Sequence, residues 1–189
     1  SLCNDTPQTI PINYQYPLSA WVYKAFDRAD PLFAQWLHDH GYAFNGNRKY
    51  KLFTFSWLST PRTQLLRHKQ ALKVLPGTQH FYISFHMEEA AARFITGLFT
   101  DRELTIAGPT AQGHFAIRHV EKLADPDFRR NNATFRTLSP INVSKPEFQQ
   151  GKLRANYLHP TDPEYHHYLL ENSLKRYASA TNQMVGLIQ

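Results

Sequence analysis

Cysteine, glycine and long apolar runs are all scarce in this sequence. Of its 189 residues only Cys3 is a cysteine, and eight are glycines. A single cysteine excludes an internal disulfide framework and a zinc site built on cysteines, and it fits the reducing cytoplasm in which we expect the protein. No run approaches the ~20 apolar residues of a transmembrane helix, so we expect no membrane partner. No Gly-x-x-x-x-Gly-Lys phosphate loop is present, and we expect neither a cofactor nor a metal site.

What is present indicates a folded, basic protein. The chain is 42% hydrophobic and 14% aromatic, which favours a packed core over disorder. Its 21 Lys and Arg residues exceed its 15 Asp and Glu residues, giving a formal net charge of +6. A positive excess favours a polyanionic partner, either nucleic acid or anionic lipid. The length is sufficient for one or two small domains.

Apolar periodicity predicts two consecutive helices near the start of the chain. The first helix spans Tyr14 to Arg28, and the second spans Pro31 to His40, with Asp30 as its N-cap. The predicted buried stripe of the first helix is Leu18, Trp21, Val22, Ala25 and Phe26, and that of the second is Leu32, Phe33, Trp36, Leu37 and His40.

Further elements predict an α+β fold. Strands are expected at Lys51–Leu58, His80–His86, Leu104–Ala107 and Phe115–Val120, with a helix over Glu88–Thr100. With a first strand at Leu2–Asn4, the order is βαββαβ, the ferredoxin-like (RRM-like) layout of a four-stranded sheet with helices on one face. The segment "ATFRTLSPINVS" predicts another strand, and "TDPEYHHYLLENSLKRYA" predicts a helix with Thr161 and Glu164 as a capping box. We therefore expect a ferredoxin-like domain over residues 1–140 and the beginning of a second, incomplete one over residues 141–189.

Two histidines two residues apart, His38 and His40, have three alternative roles: metal ligands, packing residues or acid–base groups. Helical side chains at i and i+2 do not share a face, which disfavours one common metal ion. His40 continues the predicted apolar stripe, so we expect it to be a partly buried packing residue. His38 points roughly 170° from the centre of that stripe and should face outward. An exposed helical histidine taken alone is usually a solvated residue.

Tyr23 lies off the core face of the first helix, about 130° from the centre of its stripe. Such an aromatic residue is available either to a ligand or to a neighbouring helix. Tyrosine titrates near pH 10 and histidine near pH 6.5. Together with a cation, Tyr23 and His38 would suit proton transfer and charge stabilisation at a phosphate.

Basic residues are concentrated in three segments. Such charge runs are usually solvated surface, and the interleaved aromatics and histidines raise nucleic-acid binding as the alternative. The RNP1 signature of RNA-recognition motifs is absent. The candidate RNA-binding residues are Arg48, Lys49, Arg62, Arg67, Lys69, Lys73, Arg129 and Arg130.

Several of these segments together resemble one protein family. The stretch "WVYKAFDRADPLFAQWLHDHGYAFNGNRKYKLFTFSWL" is similar to the N-terminal half of the endoribonucleases that process CRISPR repeat RNA. The resemblance continues in order through "FYISF", "GLF", "FAIRHVEKL", "FRTLSPINV" and "YLHPTDPEYHHYLLENSLKRYA". The last of these resembles the opening of the family's second ferredoxin-like domain. The family's glycine-rich loop near the C-terminus has no counterpart here.

The resemblance implies a catalytic trio of Tyr23, His38 and Lys51. An extended loop, "GYAFNGNR", leaves Lys49 or Arg48 as alternatives for the lysine role. The implied reaction is a metal-independent cleavage of CRISPR precursor RNA within its repeats, which produces guide RNAs. The 2′-hydroxyl attacks the adjacent phosphate, and one of the two RNA fragments is left with a 2′,3′-cyclic phosphate. The implied partner is CRISPR repeat RNA, with room for other subunits of a CRISPR effector, a fused domain or a homodimer. The alternative is a non-catalytic RNA-binding subunit on the same fold.

Overall fold

The computed structural model describes residues 1–44, 48–124, 132 and 134–181. Its helices are α1 (Gln15–Ala29), α2 (Pro31–Asp39), α3 (Glu88–Thr100) and α4 (Tyr165–Thr181). Its strands, in chain order, are β1 (Leu2–Asn4), β2 (Gln8–Pro11), β3 (Tyr42–Phe44), β4 (Arg48–Tyr50), β5 (Phe53–Phe55), β6 (Thr63–Leu66), β7 (Ala71–Val74), β8 (Gly77–Gln79), β9 (Ile83–Phe85), β10 (Glu103–Ala107), β11 (Gln112–Ile117), β12 (Val143–Gln149) and β13 (Lys152–Leu158). No helix among the described residues has both the length and the hydropathy needed to cross a membrane.

The chain divides into two compact units. The first contains Ser1–Asp39 and the described residues of Phe53–Leu138. The second contains the described residues of His40–Leu52 and those from Ser139 onward. The predicted domain ranges, residues 1–140 and 141–189, stay a prediction.

The first unit has the predicted ferredoxin-like order. Its four-stranded antiparallel sheet runs β10–β11–β1–β8, and β9, which follows β8, pairs with β5. The elements β1, α1, β5, β9, α3 and β11 occur in the chain order βαββαβ. Between them are inserted α2, the edge strand β10 and the further strands β2–β4 and β6–β8. The expected α+β class and ferredoxin-like fold are confirmed.

An aromatic cluster joins α1 and α3 to the β5–β9 pair. The Phe26 side chain of α1 is fully buried, and its ring lies 6.1 Å from that of Phe53 and 5.9 Å from that of Phe85. Phe94 of α3 lies 5.1 Å from Phe85. Both helices therefore cover the same side of the β5–β9 pair. Truncating such a buried ring to Ala typically costs about 3–5 kcal/mol.

The predicted stripe of α1 is confirmed residue for residue, because Leu18, Trp21, Val22, Ala25 and Phe26 are all buried. The stripe of α2 is rotated relative to the prediction. Its buried residues are Phe33, Ala34 and Leu37, whereas Leu32 is 79% exposed. A nine-residue helix needs only a narrow contact face, so periodicity alone did not fix its phase.

A three-stranded sheet, β2–β7–β6, was not foreseen. The segment from Arg62 to Lys73, predicted as a connection, instead forms the β6–β7 hairpin, whose tip is a 3-10 turn at Arg67–Lys69. Gln70 closes that turn in the left-handed conformation at φ 47°. Pairing of β7 with β2 joins residues about sixty positions apart, which local patterns cannot reveal.

Other strands are shorter than predicted or shifted along the chain. The strand expected at Lys51–Leu58 is reduced to β5, because Leu52 adopts a left-handed φ of 52° and interrupts the run. The strand expected at His80–His86 is reduced to β9, and the one expected at Phe115–Val120 is β11, Gln112–Ile117. The strand expected within "ATFRTLSPINVS" begins only at Val143.

The second unit consists of two hairpins and α4. The β12–β13 hairpin turns at Gln150 and Gly151, which both have positive φ, as a two-residue primed turn requires. Backbone pairing of β3 with β4 forms the other hairpin, and Arg176 of α4 lies 5.8 Å over the Tyr50 ring. Lys145 of β12 forms an ion pair with Glu164.

The predicted capping box at the start of α4 is wrong. The Thr161 hydroxyl bonds to His159 Nδ1 at 2.8 Å, and the Glu164 carboxylate is engaged by Lys145. The helix instead begins at Tyr165, after a turn in which Tyr165 N–H donates to the Asp162 carbonyl at 3.0 Å.

Candidate active site

The corner between α1 and α2 is fixed by Asp30. This residue follows α1 and caps α2, since the Phe33 N–H donates to Asp30 Oδ1 at 3.0 Å. Its other oxygen, Oδ2, accepts a bond from Arg93 Nε of α3 at 2.9 Å. The Phe33 N–H first, and then Arg93, hold the pKa of the Asp30 carboxyl below its usual value. The predicted N-cap is confirmed, and Asp30 ties both helices to α3.

This corner brings Tyr23 of α1 beside His38 of α2. The two ring centroids are 5.6 Å apart, with planes at 78°, an edge-to-face arrangement. The inner side of Tyr23 rests on Phe26 at 6.3 Å and on Phe53 at 6.0 Å. The outward placement of His38 is confirmed, because 72% of its side chain is exposed. The buried Phe26 and the half-buried Phe53 therefore support a half-buried Tyr23, which packs beside the exposed His38.

Partial burial raises the pKa of Tyr23 above its ordinary value of 10.0. Desolvation disfavours the phenolate, so Tyr23 is a neutral phenol at neutral pH. In that form the hydroxyl can donate a hydrogen bond to an anionic oxygen, whereas its use as a base is disfavoured. The two alternatives for Tyr23 are thus combined: the residue packs at the α1–α2 seam and still offers a polar group beside His38.

The acidic neighbour Asp39 completes this cluster. His38 Nδ1 lies 3.0 Å from Asp39 Oδ1. The sequence "LHDH" carried this signal, because a carboxylate next to a candidate acid–base histidine is a possible orienting group. Our sequence reasoning considered only the two histidines and missed it, as it missed the supporting roles of Phe53 and Arg93.

The prediction that His40 is a partly buried packing residue is wrong. Its side chain is exposed, because α2 ends at Asp39 and the helical phase no longer applies to the next residue. His40 and Lys51 both belong to the second unit. Lys51 is half-buried, lies between β4 and β5, and precedes by two residues the Phe53 that contacts Tyr23.

The predicted RNA-binding residues fall into three groups. The first group lies on the β6–β7 hairpin, which together with the residue before it, Arg62, we call the basic hairpin. Its cations are the exposed Arg62, Arg67 and Lys69 and the half-buried Lys73. Arg48 and Lys49 lie on β4, and the Lys49 side chain is exposed. Arg129 and Arg130 lie outside the described residues. The structure thus gathers the first group on one supersecondary element.

The described residues contain no group of three or more His, Cys, Asp or Glu side chains placed to hold a metal ion.

Comparison with known protein families gives two matches along the chain. Residues 9–121 match the family described as CRISPR-associated protein Cas6, N-terminal, and residues 123–188 match CRISPR associated protein Cas6, C-terminal.

Individual relatives agree with these matches. The chain is 28% identical over 182 residues to the CRISPR-associated endoribonuclease Cas6 1 of Methanocaldococcus jannaschii, covering 96% of this chain and 65% of that protein. It is 26% identical over 173 residues to the CRISPR-associated endoribonuclease Cas6 of Pyrococcus furiosus, covering 90% of this chain and 58% of that protein. The chain therefore spans less than two thirds of the length of these curated relatives.

Solved structures share the fold. A structure described as a Cas6-related gene product from Pyrococcus furiosus superposes with a TM-score of 0.79 at 24% identity, covering 98% of this chain and 70% of the other. Another, described as an RAMP protein binding different RNA substrates, has a TM-score of 0.77 at 22% identity, with coverages of 98% and 70%. At these identities the likeness concerns the fold alone.

Proposed function

Because this chain belongs to the Cas6 family of CRISPR-associated proteins, we propose that it cleaves CRISPR precursor RNA within its repeats to produce guide RNAs in the cytoplasm. The observation that carries this proposal is the pair formed by Tyr23 and His38 where α1 meets α2, with ring centroids 5.6 Å apart and the His38 side chain exposed to solvent. The names of its relatives as endoribonucleases support the same reaction class.

The proposed chemistry uses the nucleophile that RNA already contains. The 2′-oxygen attacks the adjacent phosphorus while its proton is removed, and the bond from phosphorus to the 5′-oxygen breaks as that oxygen gains a proton. The products are a 2′,3′-cyclic phosphate and a 5′-hydroxyl, and no metal ion takes part. His38 is the side chain that exchanges a proton with the reacting oxygens of the RNA. General acid–base catalysis of this kind typically raises the reaction rate by ~10²–10⁴-fold.

Tyr23 acts in its neutral form. Its raised pKa supports a role as a hydrogen-bond donor to a phosphate oxygen or to the leaving 5′-oxygen. Following the family resemblance, we assign to Lys51 the role of stabilising the negative charge that develops on the phosphorane. Lys49 and Arg48 are the alternatives for this role. Positioning the 2′-oxygen in line with the scissile bond supplies much of the remaining acceleration.

The basic hairpin is proposed to bind the RNA backbone. Its exposed cations lie at the tip of the hairpin (Arg67 and Lys69) and directly before its first strand (Arg62), so the paired strands β6 and β7 carry all three. Contacts of this type neutralise phosphates without reading sequence. Arg48, Lys49, Lys73, Arg129 and Arg130 are further proposed backbone contacts.

A non-catalytic RNA-binding subunit is the second candidate function. The specific observation that favours it is the basic hairpin, which requires no active site to bind RNA. A solved structure with the same fold is described as a protein that binds different RNA substrates. Other CRISPR effector subunits, a fused domain or a second copy would then be its partners.

Incubation of labelled repeat RNA with the chain and excess chelator separates the two candidates. We expect cleavage to persist in chelator and to stop when the nucleotide 5′ of the cut carries a 2′-deoxy sugar. A 2′,3′-cyclic phosphate on the 5′ fragment is the expected product. Binding without cleavage would favour the second candidate, and magnesium-dependent cleavage leaving a 3′-hydroxyl would overturn the mechanism.

The two neighbouring histidines provide a matched pair of variants. His38→Ala should lower the single-turnover cleavage rate by about 10²-fold or more while repeat binding is retained. His40→Ala removes an equally exposed imidazole two residues away and should leave both rate and stability nearly unchanged. Equal losses in the two variants would remove His38 from the active site.

A further inference from the structure

Asp39 is the acidic residue in contact with the proposed acid–base histidine. Its Oδ1 lies 3.0 Å from His38 Nδ1, and the two side chains are 72% (His38) and 46% (Asp39) exposed. A carboxylate only accepts hydrogen bonds, so at this distance Nδ1 must carry the proton. In a neutral imidazole the other nitrogen, Nε2, is then the one that carries no proton.

The position of Asp39 is unfavourable for the helix itself. Asp39 is the last residue of α2, where the partial negative charge of the helix end repels a carboxylate. The helix thus carries, at its C-terminus, a charge of the wrong sign for its own stability. Local conflicts of this kind are most often found where a residue serves a site rather than the fold.

A second restraint acts on the same ring. The Tyr23 ring packs edge to face with the His38 ring, with planes at 78°. Tyr23 is itself held by Phe26 and Phe53, so this contact limits rotation of the imidazole. Tyr23 therefore restricts the orientation of the imidazole plane, and Asp39 determines which of its nitrogens carries the proton.

We infer that Asp39 is a positioning residue, which holds His38 in the tautomer with the proton on Nδ1 and so makes Nε2 the atom that exchanges a proton with RNA. This inference rests on the proposed function of His38. The electrostatic share is modest, because exposed ion pairs are weak and are screened by salt. The main effect of Asp39 is the choice of nitrogen.

Nuclear magnetic resonance tests the tautomer without RNA. The chain is labelled with ¹⁵N-histidine, His38 is assigned from the His38→Ala spectrum, and Nδ1 and Nε2 shifts are recorded at a pH where the ring is neutral. We expect a protonated Nδ1 in the wild type and a shift toward protonated Nε2 in Asp39→Ala. Asp27→Ala is the matched control, since it removes an exposed carboxylate from the neighbouring α1. An unchanged tautomer in Asp39→Ala would overturn the inference.

Cleavage provides the second readout. Asp39→Ala should lower the single-turnover rate at saturating protein by about two- to fivefold, because an exposed pair of this kind favours the tautomer protonated on Nδ1 by only about that factor. Affinity for repeat RNA should equal that of Asp27→Ala. Asp39→Glu, which keeps the acceptor, should recover part of the rate. A wild-type chain that shows the tautomer but no cleavage would refute the proposed function and leave the positioning of His38 standing. Loss of rate with no tautomer change would refute the positioning role.

Discussion

The contact of α1 with α3 at Gly97 provides a sharp test of the fold. A Cβ placed on Gly97 would lie 1.8 Å from the Ala25 carbonyl oxygen and 2.6 Å from its carbon. Ordinary van der Waals contact begins at 3.4 Å, so the shortfall is about 1.6 Å. Because the obstacle is helix backbone, no side-chain rotation can relieve it.

The Gly97→Ala substitution therefore sets two effects against each other. Replacing glycine by alanine inside a helix ordinarily stabilises by roughly 0.5–1 kcal/mol. Here the helices must separate by more than an ångström, which loosens the packed ring pairs of Trp21 with Phe94 and of Phe26 with Phe94. Overpacking typically costs about 1–3 kcal/mol, and backbone clashes lie at the upper end. We expect a net loss of about 2 kcal/mol in the free energy of unfolding.

Urea unfolding followed by circular dichroism measures this loss. Ala92→Gly, at an exposed position of the same helix, is the matched control and should cost about 1 kcal/mol through helix propensity alone. If propensity governed both sites, Gly97→Ala would stabilise the protein by a similar amount. A Gly97→Ala variant as stable as the wild type would refute the close approach of α1 and α3.

Two further predictions concern charge. Lys51→Ala should slow single-turnover cleavage at saturating protein with little change in affinity for RNA. The double change of Arg67 and Lys69 to Ala should instead weaken binding, and the slope of log affinity against log salt concentration should become shallower by ~0.7 per lost phosphate contact. Filter binding across a salt series and single-turnover cleavage distinguish the two variants, and equal effects on the cleavage rate would contradict the assignment. Burial raises the pKa of Tyr14 and of Tyr23 above 10.0, so the stability that the neutral phenols contribute is present below pH 10.0 and is lost as pH rises through the folded-state values. Alkaline titration of the free energy of unfolding should show this decline, and Tyr14→Phe and Tyr23→Phe should each flatten it.

Helices were the most predictable part of the fold. The bounds of α3, Glu88–Thr100, were predicted to the residue, and those of α1 to within one. The reason is that a helix is specified by neighbours three and four residues apart, which a single sequence displays. Where the helix was short, as in α2, the same reasoning gave the correct outward face for His38 and an incorrect environment for Leu32 and His40.

The candidate site was predictable only in part. The outward positions of Tyr23 and His38 followed from helical phase, and the resemblance to the repeat-RNA endoribonucleases joined them to Lys51. The bond between His38 and Asp39 joins adjacent residues, and its signal in "LHDH" was overlooked. Neither source indicated that the Tyr23 ring would rest on Phe53 and contact the His38 ring. The contact of Tyr23 with His38 depends on the angle between α1 and α2, which Asp30 and Arg93 set through bonds between distant parts of the chain.

By itself, the sequence determined the α+β class, the βαββαβ order, the buried face of α1 and the basic character of the protein. These properties depend on local periodicity and on composition. Only the tertiary structure decided how the strands pair, that the segment after Arg62 folds into the basic hairpin, and that Tyr23 and His38 meet at 5.6 Å. The physical reason is that strand pairing and helix crossing are chosen by contacts between residues far apart in the chain, whose free energies no local pattern records.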